Sequence, residues 1–254
     1  MARIIGTAGE FQGEEGIRRR VKAIAAWFLF VCVLFFIFGF AAARYDVRWA
    51  IGAIVFIVPV IWLANRWSEM ELRSVQKHEV GADGERKIGK LLKDLPDAYT
   101  VINDFDFVGS YGNIDHLVIG PKGVFAIDVK NWRGTVSSDG DGELLLNGQP
   151  TDKPMVRTFT RRVMELKDRL KALVELDPYV QGLFVFPHTH VEAKWGKTGS
   201  VHCIHADQIA DYIAKYNGSK PIPVAEASRL VSAVNALRGL ARPEVPPAQS
   251  EGQN

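Results

Sequence analysis

Residues 112–134 read GNIDHLVIGPKGVFAIDVKNWRG, two apolar runs joined by Gly120-Pro121-Lys122-Gly123. Proline suits the second position of a type I turn and glycine the fourth, so the junction is a turn and the runs are its two strands. With Pro121 and Lys122 at the centre, Gly120 faces Gly123 and Ile119 faces Val124. Counting outward brings Asp115 opposite Asp128. Opposed residues of an antiparallel pair share one face, with Cβ atoms about 4.5–5.5 Å apart. Lys130 lies two residues beyond Asp128 and so projects to that face too. His116 projects to the other face, where a packed or hydrogen-bonded histidine is expected.

Two neighbouring carboxylates repel unless a positive charge compensates them. Two readings satisfy that requirement. A divalent cation such as Mg²⁺ prefers oxygen ligands and keeps several waters. It would polarise a phosphate and acidify a bound water, which Lys130 would position or help deprotonate before stabilising the charge on phosphorus. Alternatively, Asp115, Lys130 and Asp128 form an ion-pair cluster on a strand edge. The residues themselves leave both open.

Working outward, apolar residues at Ile88, Leu91, Leu92 and Leu95 follow helical spacing up to Pro96, with Gly81 and Gly84 interrupting the helix before Glu85. Strands are expected at 99–102, 113–120, 123–131, 135–136, 143–146, 180–186 and 200–204. Helices are expected at 155–176, 207–216 and 224–240. The segment 103–106 (NDFD) reads as loop, with Asp104 or Asp106 placed to line a groove. This order of elements is that of a mixed α/β domain over 81–240, followed by a proline-rich, disordered tail at 241–254.

The first third of the chain differs in character. Residues 1–22 are polar and end in Arg18, Arg19, Arg20 and Lys22. The next 21 residues, 23–43, carry no charge. As a helix they would span about 31 Å, enough for a hydrocarbon core. After a short loop with Arg44 and Arg48, a second apolar run of 16 residues covers 49–64. The expectation is a transmembrane helical hairpin over 23–64 and a linker helix over 65–80. The basic flanks place both termini and the domain in the cytoplasm, at the inner or plasma membrane. The alternatives are a signal peptide cleaved near Ala41-Ala42-Ala43, or a single span with a re-entrant second segment.

Charge and cysteine usage narrow the function. Residues 66–254 hold 24 Lys/Arg against 25 Asp/Glu, so nucleic acid would be held by a local groove or by metal ions. Cys32 and Cys203 make no disulfide framework or zinc motif, in keeping with a reducing compartment. His188, His190, His202 and His205 have spacings that could suit a metal, but no carboxylate pattern joins them.

Three motifs, Gly81-x-x-Gly84-Glu85, residues 112–121 and residues 123–134, resemble the NERD (nuclease-related domain) family. That family is similar to the PD-(D/E)XK nuclease superfamily, and the resemblance spans roughly residues 80–190. It implies a restriction-endonuclease-like fold, a mixed sheet flanked by helices. It also implies hydrolysis of nucleic-acid phosphodiester bonds, DNA foremost, with Mg²⁺ or Mn²⁺. Asp115 matches the first metal-binding aspartate, Asp128 the acidic residue of (D/E)-x-K, Lys130 its lysine, and Glu85 the acidic residue of the first helix. Asp128 departs from the glutamate common in relatives. The segment Lys153-Pro154-Met155-Val156-Arg157 lacks the glutamine often found there. Trp132 and Arg133 at the mouth would stack on or clamp nucleic acid, or Trp132 is a strand-end aromatic covering the sheet, and Arg157, with Arg161 and Arg162, would face phosphate or form a solvated basic face. The alternative is a nucleic-acid-binding or scaffolding module at the membrane without turnover.

Overall fold

The turn at Pro121-Lys122 forms as read, and the hairpin it closes is the centre of a six-stranded mixed sheet. The computed structural model describes residues 1–8, 79–107, 112–192 and 201–241, with scattered helical positions between 21 and 66. In chain order the elements are β1 (Arg3–Ile5), α1 (79–91), β2 (Thr100–Phe105), β3 (Ile114–Gly120) and β4 (Gly123–Val129). Then come β5 (Gly134–Ser138), β6 (Leu144–Leu146), β7 (Gln149–Pro150), α2 (Met155–Val174) and β8 (Val180–Phe186). The last are β9 (Thr189–Val191), β10 (Val201–His205), α3 (Ile209–Lys215) and α4 (Val224–Ala241).

The main sheet has the order β1-β2-β3-β4-β8-β10. β2, β3 and β4 are antiparallel, whereas β8 joins β4 in parallel and β10 joins β8 in parallel. A parallel neighbour needs a long crossover, and α2 supplies it between β4 and β8. β4 and β8 are buried along their whole length, as strands covered on both faces must be. On one face lie Ile88 of α1 and Ile209 and Ile213 of α3, packed with Val118, Phe125 and Leu183. On the other, Phe159, Val163 and Leu166 of α2 and Val234 of α4 pack with Leu117, Ala126 and Phe184. A small second sheet, β7-β6-β5-β9, follows the hairpin.

Three sequence expectations need correction. Residues 1–22 are not a separate segment throughout: β1 pairs in parallel with β2, Arg3 against Thr100 and Ile5 against Ile102. The compact unit built on this sheet comprises 1–9 and 83–254, with 10–82 as a second unit between them in sequence. Gly81 and Gly84 do not interrupt α1, which is helical throughout 79–91. A Cβ on Gly84 would come within 2.9 Å of Asn131 Cβ, so close approach to the strand end explains that glycine. The NDFD segment is not loop, since Asn103, Asp104 and Phe105 lie in β2. Among the described residues no helix is long and apolar enough to cross a membrane. The apolar runs at 23–43 and 49–64 fall partly or wholly outside the described residues, as do nearly all of 65–78 and the tail from 242.

α2 carries buried residues at Val156, Phe159, Val163, Leu166, Leu170 and Val174, a single apolar stripe at helical spacing. No side chain of its own caps its N-terminus. Glu143, just before β6, does so instead: Oε2 accepts the Val156 N–H at 2.9 Å and Oε1 the Arg157 N–H at 2.9 Å. A carboxylate there satisfies two orphan donors and opposes the helix dipole. Glu143→Ala is therefore expected to cost about 1–2 kcal/mol in denaturant unfolding, with Glu143→Gln losing less.

Candidate active site

The register of three adjacent strands places three aspartates side by side. β3 pairs with β4 through His116 and Ile127, so the next step outward sets Asp115 against Asp128. β2 pairs with β3 through Asn103 with His116 and Phe105 with Ile114, which puts Asp104 opposite Asp115. Asp104 has φ 49, a left-handed conformation that a short polar side chain tolerates better than most. That kink breaks the strand's alternation, so Ile102 and Phe105 both join the same core cluster. Glu85 on α1 is the fourth acidic group, 1% exposed.

Burial and mutual repulsion dominate the electrostatics. Burial, then the charges of Asp115, Asp104 and Asp128, push the Glu85 carboxyl up to about 9. Burial and then Asp128 push Asp115 up to about 7, against the pull of Lys130 and of the Val129 N–H. That N–H donates to Asp115 Oδ2 at 2.6 Å. Asp104 Oδ1 accepts from Asn113 Nδ2 at 3.0 Å.

Two cations answer these carboxylates. Lys130 Nζ forms an ion pair with Asp128 Oδ1. Burial disfavours the ammonium, but Asp128 and Asp115 outweigh it and hold the lysine above its usual pKa. Arg162, on the buried side of α2, donates to the Asn113 carbonyl at 2.5 Å and lies 3.5 Å from Asp128 Oδ2. Lys130 also sits over the Phe184 ring, 5.8 Å from its centroid.

Of the residues expected at the site, Asp115, Asp128 and Lys130 come together on one face, and Glu85 acts electrostatically on the same group. The outer contacts fare differently. Trp132 packs on the core with its ring 5.8 Å from Phe186, and its carbonyl accepts from Thr189 Oγ1 at 2.7 Å. Arg133 and Arg157 are exposed, and the Arg157 N–H is held by Glu143. Arg162 and Asp104 belong to the cluster and carried less weight in the sequence reading. Arg162 lies three residues from Phe159 and four from Leu166, so it shares their stripe, which is the signal that separates it from its neighbours. Among the described residues the histidines assemble no metal centre: His190 meets Glu192 at 3.3 Å, His205 meets Asp207 at 3.3 Å, and His202 bonds Tyr212 Oη at 2.5 Å.

Carboxylate oxygens are a suitable donor set for Mg²⁺ or Mn²⁺, and Glu85 and Asp115, raised first by burial and then by their acidic neighbours, are groups whose ionised form a divalent cation would favour. Among the described residues, however, no three His, Cys, Asp or Glu side chains are already gathered at metal-ligand spacing. Asp128 is turned to Lys130 and Arg162 instead.

Comparison with known proteins agrees with the motif resemblance. Residues 80–187 match the nuclease-related domain family, NERD. The chain is also 36% identical over 73 residues to an uncharacterized protein of Bacillus anthracis, a match covering 26% of this chain and 34% of that protein. The match thus spans about a third of that relative. No solved structure matches.

The pH dependence of the metal-free protein follows from Glu85. Its carboxyl is raised from 4.5 to about 9, so the folded state binds the proton more tightly than the unfolded chain. The associated stability is complete below about pH 4.5 and is lost as pH rises toward 9. Asp115, raised from 3.8 to about 7, has the same sign. In EDTA, Glu85→Gln is expected to melt higher than wild type above pH 7, by a few degrees, and to flatten the fall of Tm with pH.

Proposed function

From the nuclease-related match over residues 80–187, we propose that this domain hydrolyses nucleic-acid phosphodiester bonds, DNA foremost, with Mg²⁺ or Mn²⁺, while the apolar segments within 23–64 hold it at a membrane. The observation that carries the reading is the row Asp104–Asp115–Asp128 across three adjacent strands, with Lys130 and Glu85 at the same end. Asp115, Asp128 and Glu85 would hold the ion. When bound, it would polarise a phosphate oxygen and lower the pKa of a coordinated water.

The chain's own residues have separable roles. Asp128 and Asp115 keep Lys130 protonated. It would serve as a positive charge for the developing phosphorane and as a donor that orients water. Arg162, anchored on the Asn113 carbonyl, is a second fixed cation beside Asp128 and suits a non-bridging phosphate oxygen. Phe184 beneath Lys130 limits water on that side of the site.

One observation favours the alternative of a binding module without turnover. Asp128 is already neutralised by Lys130 and Arg162, so an ion must compete with two of the protein's own cations.

For the membrane, Val21, Ile24, Phe28, Leu29 and Val33 occupy helical positions with their apolar side chains exposed. Such a run is out of place against water and suits lipid. The pairing of β1 with β2 supports a hairpin with both ends on one side, since residues 1–9 and 83–254 build one unit. Any bilayer excursion by 10–82 must then return to the face it left. On this reading the domain lies on the cytoplasmic face.

Two experiments test these readings. The full chain should cleave single- or double-stranded DNA or RNA in Mg²⁺ or Mn²⁺, not in EDTA, and Asp128→Ala or Lys130→Ala should lower the rate by about 100-fold or more. Cleavage that persists in EDTA or in those variants overturns the mechanism, and binding without cleavage selects the alternative. In intact cells, protease added outside should leave the domain whole and should digest it only after the membrane is opened. Digestion in intact cells rules out the orientation.

A further inference from the structure

A buried polar link runs behind the acidic row. Asn103 Nδ2 donates to the Gly6 carbonyl at 2.9 Å, and Asn103 Oδ1 lies 2.8 Å from His116 Nδ1. Because the amide nitrogen is committed to Gly6, the ring proton belongs on Nδ1 and is donated to Asn103. Both side chains are shut off from water, Asn103 at 4% exposure and His116 at 0%. Each is the immediate neighbour of an acidic residue: Asn103 precedes Asp104, and His116 follows Asp115. The helix that carries Glu85 crosses the same link at Gly89. There an added Cβ would lie 2.9 Å from Ala8 Cβ and 3.5 Å from His116 Cε1. Gly6 has φ +80, and an added Cβ would sit 3.0 Å from the Asn103 carbonyl oxygen.

Buried amides and imidazoles are costly unless bonded, and an apolar pair of similar shape would serve packing alone as well or better. The link does something that packing would not. In β3, strand alternation turns Asp115 to one face and His116 to the other, where Asn103 meets it. A shift of the Asp104 or Asp115 backbone would therefore break a bond in a place that water cannot reach. We propose that Asn103 and His116 are positioning residues for the acidic cluster, and that residues 3–8, through Gly6, are part of the support. The inference rests on that cluster being the site of the reading above.

The test uses the full chain with Asn103→Leu, His116→Leu, the conservative His116→Gln, and Gly6→Val. The first readout needs no metal: hydrogen exchange at the Val129 amide, which bonds Asp115 Oδ2. The second is Mn²⁺ affinity by calorimetry, and the third is Tm in EDTA. In Asn103→Leu and His116→Leu, Val129 should exchange about tenfold faster or more while Val118 and Phe125 stay protected, and Mn²⁺ should bind about 10–100-fold more weakly. His116→Gln, which can still donate to Asn103, should recover part of both, and Gly6→Val should resemble Asn103→Leu. Wild-type exchange at Val129 in both leucine variants overturns the inference. So does a uniform loss of protection across β2, β3 and β4, which would mark a merely structural role. If the wild type binds no Mn²⁺, the proposed function fails, and Val129 exchange still decides whether the link positions Asp115.

Discussion

Everything at the candidate site depends on the register set by a two-residue turn. Pro121 and Lys122 hold Gly120 against Gly123, and from that pair each cross-strand partner follows by counting. A slip of one residue would rotate a strand's whole set of side chains to the other face. Asp128 would then leave Asp115, and the apolar residues of β4 would exchange the α2 side of the sheet for the α1 side. The packing of both faces thus guards the register, and the register sets the chemistry. Gly120 adds a lock, because a Cβ there would collide with the Tyr99 ring at 2.1 Å.

The cluster built on this register opposes the stability of the fold that holds it. Four carboxylates converge where water is largely excluded, and two cations only partly answer them. Such arrangements persist where surrounding packing over-determines them, and they concentrate at functional sites. The left-handed Asp104 belongs to the same pattern, since it spends backbone strain to bring another carboxylate to the row. The surrounding sheet, with β4 and β8 buried throughout, is the rigid element that can bear this.

Much of this was legible in the sequence where the governing physics is local. The hairpin, the shared face of Asp115, Asp128 and Lys130, the α2 stripe and β8 announce themselves through turn chemistry and periodicity. The misreadings are places where tertiary contact overrules local preference. Gly84 looks like a helix breaker, yet it lies within α1 because the helix must approach Asn131. Asn103 and Asp104 look like loop residues, yet they lie in β2 because His116 and Asn113 satisfy them. β1 is three residues long, and its partner begins nearly a hundred residues later, so no window on the sequence contains both. Arg162 could have been told from its neighbours by helical phase, whereas its bond to the Asn113 carbonyl could not.

The shortness of β1 has a consequence for how the protein keeps to itself. β2 carries six residues of backbone, and β1 covers the outer side of its first three. Without that cover, its N–H and C=O groups would form an open edge able to recruit another chain. A fragment cut to begin at the family match, near residue 80, would keep the acidic row but lose the strip that caps the sheet and the carbonyl that holds Asn103. Poor solubility or weak activity in such a fragment would then report a missing edge rather than a defective catalytic centre.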